Sequence, residues 1–383
     1  MRAIIVGCGL SGSVIARELA EQGVQVEIYE RRNHIGGNMY DYVDRHGFLV
    51  QQYGPHTFHT NDPALFEYMC RYGEWDAFWL TCGAEIDGRY TPTPFNFTTI
   101  DTFYAPEAAA RLKAKLTAAY AGRTGATVVE VLEHEDPDIR GYAQFLFDKD
   151  YSLYTAKQWG IPPAEVDVSV LKRVPLRFSY DVGYFDDSYQ VMPATGWSFT
   201  RFFESLLDHP GIRVRLCEDV MAHLSLGGDE GALLWDGKPV DAPVIYTGPI
   251  DELFSCRFGR LPYRSLRFEW IYEEKDSRQE APVVAYPQAE GYTRITEYKK
   301  LPVQNRPGTV YAVEYSLPYR ENRHQEPYYP VLTEASSALL ERYEALASQY
   351  RNLYCCGRLG DFKYYNMDQA LKRALGVARA ILC

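Results

Sequence analysis

The first thirty residues constrain this chain more than any other stretch. Arg2–Val6 has the apolar character of a buried strand and runs into Gly7-Cys8-Gly9-Leu10-Ser11-Gly12. Residues 13–22 then read as a helix with Val14, Ile15 and Leu19 as its apolar stripe, and 24–29 as a second strand ending on Glu30. Each glycine has its own task. Gly7 permits a sharp turn, Gly9 lets backbone approach a pyrophosphate, and Gly12 lets helix pack on strand. The anionic phosphates fall at the helix N-terminus, where free N–H groups favour them. Glu30, 18 residues past Gly12, is placed to accept from a ribose diol. A glycine triplet alone is common. Strand, helix, second strand and acid in this order predict an α/β Rossmann-like domain that binds a dinucleotide.

Which dinucleotide is indicated by Glu30-Arg31-Arg32-Asn33-His34-Ile35-Gly36-Gly37-Asn38. The acid, the base and the glycine pair resemble the FAD-binding start of the glutathione-reductase-type flavoproteins. That resemblance implies FAD rather than NAD, with Gly36 and Gly37 letting backbone approach the flavin. Downstream, Tyr53-Gly54-Pro55-His56-Thr57-Phe58-His59-Thr60 brings two histidines three residues apart. They are open to three readings: a metal pair, a capped loop, or histidines on the flavin face. No carboxylate or third ligand has suitable spacing for a metal, so none is expected.

The 383 residues can bury two or three packed units. Forty basic against 51 acidic residues give a charge of −11, which disfavours nucleic acid or a membrane surface as partner. No apolar run approaches the roughly 18–20 residues of a membrane span. Met1-Arg2-Ala3 leads straight into a strand, so no secretory signal and a cytoplasmic location are expected. Eight cysteines without CxxC spacing read as reduced thiols, and 31 tyrosines suit wet pockets for bases and phosphates as well as ordinary cores.

Further along, Tyr154-Thr155-Ala156-Lys157-Gln158-Trp159-Gly160, Leu171-Lys172-Arg173-Val174-Pro175, Tyr292-Thr293-Arg294-Ile295-Thr296-Glu297 and Gly357-Arg358-Leu359-Gly360 join the histidine segment. In this order, over nearly the whole chain, they resemble the prokaryotic UDP-galactopyranose mutases. The resemblance implies three interleaved parts: an FAD-binding α/β domain over 1–83, 192–250 and 332–383, a helical domain over 97–160, and an antiparallel sheet domain over 84–96, 161–191 and 251–331 with a mobile loop at 164–177. It also implies a homodimer serving cell-surface polysaccharide synthesis. The activity implied is interconversion of pyranose and furanose forms of a UDP-sugar, most directly UDP-galactose. Reduced FAD attacks the anomeric carbon through N5, and NAD(P)H or another reductant supplies the electrons. A flavin oxidoreductase on the same fold, or a non-catalytic nucleotide-sugar binder, are the competing classes.

Residue by residue, the resemblance assigns Arg173 and Arg294 to the diphosphate, His56 and His59 to the flavin side, Tyr151 and Tyr154 to the uracil, and Thr155, Trp159, Tyr184, Tyr315, Tyr364 and Asn366 to the rest of the substrate site. Gly7, Gly9, Leu10, Ser11, Gly12, Glu30, Arg31, Gly36, Gly37, Asn38, His56, Val220, Gly248, Arg358, Tyr364 and Met367 are assigned to FAD. Three positions depart from the family: Asp87 and Ala285 stand where asparagines are usual, and Asn366 where an aspartate is. They lie near the sugar or its phosphates in the family, which leaves room for a sugar altered at C6. A 6-deoxygalactose is one such sugar, and a uronate paired with Arg89 another.

Overall fold

The computed structural model describes residues 1–160, 162–165, 174–227, 231–320 and 325–383. Its first sheet is fully parallel, in the spatial order Ile212–Leu216, Gln25–Glu30, Arg2–Val6, Val244–Tyr246, Leu353–Cys355. Alternation sends Ala3 and Ile5 to one face, where they pack with Val14, Phe203 and Leu371 of the helices Leu10–Glu21, Phe199–Leu207 and Met367–Leu382. Ile4 goes to the other face, with Tyr343 and Leu346 of the helix Glu334–Ala347. Both faces are covered, so the central strands Arg2–Val6 and Val244–Tyr246 are almost wholly apolar, while the edge strand Ile212–Leu216 alternates with arginines. The chain leaves Arg2–Val6 in one direction and later returns on its other side. The crevice at the carboxyl ends of these strands is where such a sheet takes a ligand.

The second sheet has seven strands, ordered Tyr329–Pro330, Tyr263–Glu273, Thr309–Pro318, Arg294–Glu297, Val283–Ala285, Cys82–Ile86, Arg89–Thr93. It is antiparallel except where Val283–Ala285 runs parallel to Cys82–Ile86. One face buries Tyr298 and Ala312 against Phe48 and Val50, and the other carries Ile295, Tyr311 and Val313. A separate three-stranded sheet joins Phe58–Thr60, Tyr189–Pro193 and Trp75–Ala77, so the boundary expected at 191/192 falls inside a strand.

The helices Phe97–Phe103, Pro106–Ala119, Val128–Leu132 and Pro137–Leu146 gather around Leu112, Leu116, Val131 and Tyr142. Asp136 starts the last of these by accepting from Asp138 N–H, with proline at the first helical position, where its missing N–H costs nothing. The sequence reads 140–154 as a helical stretch, and the structure is helical throughout it. Within it the helix widens into a π-helical turn, Phe147–Tyr151, before Ser152–Trp159 resumes the α-helix. Such turns recur at functional sites because the extra residue redirects side chains. Among the described residues, no helix is long and apolar enough to cross a membrane.

Candidate active site

A cavity of about 700 Å³ opens at the carboxyl ends of the parallel strands. All the residues the resemblance assigns to FAD line it, except Tyr364. Its floor is backbone. Gly7 has φ +95°, and a Cβ there would strike the Thr247 hydroxyl. A Cβ on Gly12 would fall 2.1 Å from the Gly7 carbonyl oxygen, and one on Gly37 2.8 Å from Gly9 Cα. The helix Leu10–Glu21 starts on Gly9 with no side-chain cap and no acid in its first turn, which leaves its N–H groups open to phosphate. Both Glu30 oxygens accept backbone N–H, from Cys8 and Arg32 at 2.9 Å each. The carboxylate is thereby fixed with lone pairs to spare for a diol. Arg31 and Arg32 both reach Glu326 (2.5 and 3.0 Å), and Arg32 also donates to Asn38. The uncapped helix, the glycine cradle and the fixed acid fit a flavin dinucleotide.

At the inner end of the cavity stands His56. Its Nδ1 donates to the Gly54 carbonyl at 2.9 Å, because a carbonyl can only accept, and Nε2 therefore keeps its lone pair. Burial, then the positive fields of Arg358 and Arg294, push its pKa down to about 4, so the ring is neutral. His59 does not line the cavity. It sits in the strand Phe58–Thr60, stacked 3.6 Å from Phe185, with Nδ1 2.8 Å from Asp187. Among the described residues, no three or more His, Cys, Asp or Glu side chains could hold a metal ion.

Beyond His56 a second group gathers around Arg294. Its Nε and Nη2 both donate to Glu314 Oε2, at 2.8 and 2.7 Å. The two residues face each other across the antiparallel pair of Arg294–Glu297 and Thr309–Pro318. Burial opposes the arginine's charge most strongly, but Glu314, Tyr154 and Tyr329 together outweigh it and raise the pKa, so the guanidinium stays charged. Arg294 is within electrostatic reach of His56, Tyr154, Tyr184 and Tyr364. Arg358 bridges the two groups by donating to the Tyr365 carbonyl at 3.0 Å with its guanidinium 4.6 Å from the Tyr329 ring.

Tyr329 is the residue that sequence reasoning missed. Its ring stacks on Tyr364 at 5.3 Å, and Arg264 lies over it at 5.1 Å. The Tyr-Tyr-Pro run at 328–330 was its one visible signal. Tyr315, which the resemblance assigned to the substrate, follows Glu314 and so points to the opposite face of the sheet. There its hydroxyl donates to Glu269 at 3.2 Å under the Arg267 guanidinium. Tyr151 packs edge-on to Phe95, and Thr155 is half-buried on the same helical segment as Tyr154. Asn366 is an exposed N-cap that lines the cavity mouth, its N–H bonded to Gln369 Oε1. Arg173, most of its loop and the Trp159 side chain lie outside the described residues.

Besides Asn366, the other two departures from the family, and Arg89, also find places. Asp87 sits at the hairpin turn with φ +49°, accepting from Gln288 and Lys149. Ala285 faces Arg294 across its strand pair. Arg89 donates to the Thr102 carbonyl and lies over the Phe103 ring.

Known proteins carry the same pattern. The family model for UDP-galactopyranose mutase matches residues 149–364, and that for an NAD(P)-binding Rossmann-like domain matches 5–72. A Klebsiella pneumoniae protein named "Probable UDP-galactopyranose mutase" is 36% identical over 386 residues, covering 99% of this chain and 94% of its own. An Escherichia coli dTDP-fucopyranose mutase is 33% identical over 385 residues, covering 99% and 97%. A crystal structure of reduced UDP-galactopyranose mutase has the same fold, with TM-score 0.72 at 17% identity over 100% of this chain and 95% of that one. With relatives of this identity spanning both chains almost end to end, and a family match running across the Arg294 site, this chain belongs to the UDP-galactopyranose mutase family.

Proposed function

We propose that this chain interconverts UDP-galactopyranose and UDP-galactofuranose, with reduced FAD as its working cofactor. The observation that carries the reading is the position of Arg294: a half-buried cation, fixed by Glu314, lies within electrostatic reach of His56 at the dinucleotide cradle and of the tyrosines 154, 184 and 364. Reduced FAD, when bound, supplies a nucleophilic nitrogen for the anomeric carbon, so the overall exchange consumes no reductant. The chain's residues handle the leaving group. The diphosphate departs with added negative charge, which the unused N–H groups of Arg294 can meet, joined by Arg173 from its loop. Tyrosine hydroxyls donate to the same phosphates, and Tyr151 and Tyr154 hold the uracil. The neutral His56 adds no charge beside the flavin and offers one acceptor. Arg89 is already committed to Thr102 and Phe103, which removes the residue that would have favoured a uronate.

The same proposal includes NAD(P)H as electron source, a homodimer, a cytoplasmic site of action, and supply of galactofuranose to cell-surface polysaccharide. The test is turnover of UDP-galactose by the flavin-loaded protein before and after dithionite reduction. Turnover only when reduced, without stoichiometric loss of reductant, is expected. Consumption of one reductant per product would make it an oxidoreductase instead.

A further inference from the structure

The π-helical turn Phe147–Tyr151 buries a carboxylate that none of the above employs. Asp150 is 6% exposed and, among the described residues, has no hydrogen-bond partner. Lys157 is the nearest cation, yet it is not free to pair. Its three protons go to the carbonyls of Tyr286, Ala289 and Tyr292, so it reaches Asp150 through its field alone. Asp150 is also within electrostatic reach of Tyr151 and Tyr154, the two rings assigned to the base, and Tyr154 in turn of Arg294. A buried carboxylate without a donor is costly, and native proteins retain one where a ligand supplies the missing hydrogen bond.

We propose that Asp150 reads the nucleobase, its carboxylate accepting the N3–H of the pyrimidine held by Tyr151 and Tyr154. The inference rests on the nucleotide-sugar reading and deepens it. At the base end of a uridine nucleotide, N3–H is the ring's one donor, flanked by two carbonyl acceptors. Uracil and thymine both carry it. Cytosine has a lone pair there, which a carboxylate repels. Asp150 therefore selects among bases without regard to the sugar. Asp150, Tyr154 and Lys157 are spaced four and three residues apart, so they share one side of this helical segment. Burial pushes its carboxyl up to about 7 against the opposing field of Lys157, as expected of a group that lacks its partner in the free protein.

The experiment titrates the flavin-loaded protein with UDP, 3-methyl-UDP and CDP, followed by calorimetry, for the unmodified chain and for Asp150→Leu and Asp150→Asn. In the unmodified protein, N3-methylation and the change to cytosine should each weaken binding by about tenfold or more. In Asp150→Leu, UDP should bind about tenfold more weakly and no better than 3-methyl-UDP. Asp150→Asn, which keeps a carbonyl acceptor, should recover part of the preference for UDP. Melting temperature with flavin bound should rise in Asp150→Leu, because an unpaired buried carboxyl is gone. Persistence of the preference for UDP over 3-methyl-UDP in Asp150→Leu would overturn the proposal, as would equal weakening of both ligands, which points to a ribose contact. If the unmodified protein binds none of the three, the nucleotide-sugar reading itself falls.

Discussion

Gly9 and Gly37 meet backbone to backbone. They differ in what a side chain would do: a Cβ on Gly37 would be forced to 2.8 Å from Gly9 Cα at a φ of +56°, whereas one on Gly9 would stand a comfortable 3.7 Å from Gly37 Cα. Glycine is needed at 37 by the protein itself and at 9 only by what lies above it. Gly9→Val should therefore fold with little change in melting temperature of the flavin-free protein, yet retain less than about a tenth of the flavin. Gly37→Val should lose stability and flavin together. The ratio of flavin to protein absorbance in purified samples, beside thermal melts, separates the two; stoichiometric flavin in Gly9→Val would refute this placement of the pyrophosphate.

Arg294 serves two masters, the fold and the ligand. Arg294→Ala should lower turnover by about a hundred- to a thousandfold while flavin content holds. The same change leaves Glu314, whose side chain is 4% exposed, buried without its partner, a loss of about 3 to 5 kcal/mol. Adding Glu314→Gln should restore most of the stability and none of the activity. Arg294→Lys should recover little, since an ammonium cannot hold Glu314 and a phosphate with one planar fork. Normal turnover in Arg294→Ala would remove this residue from the chemistry.

The two faces of the seven-stranded sheet predict opposite outcomes for two tyrosines. Tyr329→Ala removes a ring shared by Tyr364, Arg264 and Arg358 and should lower kcat/KM by about tenfold or more. Tyr315→Phe, which severs only the bond to Glu269 on the far face, should stay within about twofold of the unmodified enzyme. A larger loss in Tyr315→Phe than in Tyr329→Ala would mean that the sheet turns its other face to the substrate.

His56 makes a pH prediction with a definite sign. Its pKa is depressed to about 4 by burial and by Arg358 and Arg294, against about 6.5 in an unfolded chain. Above pH 6.5 the ring is neutral in both states and contributes nothing. Between 6.5 and 4 the unfolded chain takes up a proton that the folded protein refuses, so stability falls as pH falls, by at most about 3 kcal/mol, and the loss levels off below 4. His56→Gln should lose less stability than the unmodified protein between pH 7 and pH 5 in denaturant titrations. Parallel slopes would show that the fold does not depress the ring's pKa.

How much of this was legible in the sequence depended on the range over which each feature is decided. The turn from Gly7 to Gly12 is decided at short range, since a Cβ on Gly12 would strike the Gly7 carbonyl oxygen, and so it could be read directly. The π-helical turn could not, since one extra residue hardly disturbs the apolar spacing that marks 140–154 as helical. The parallel pairing of Val283 with Cys82 joins strands nearly two hundred residues apart and has no local signature. That Tyr329 stands near Arg294 while Tyr315 faces Glu269 has the same origin. Which tyrosine looks toward Arg294 is set by cross-strand register, and a shift of one residue reverses the face.

The order of the parallel sheet also sets a timetable for assembly. The turn that would hold the cofactor's phosphates is made first, but its helix, Leu10–Glu21, packs against Met367–Leu382, and the sheet beneath it lacks an edge until Leu353–Cys355 arrives. At about 5 to 20 residues per second of synthesis, more than 350 residues separate those events, about 20 to 70 seconds. For that interval the apolar face of the first helix lacks one of its final partners, even after Phe199–Leu207 has arrived. Cofactor capture is thus an act of the finished polypeptide, and a nascent chain meets its most exposed period with its most diagnostic motif already complete.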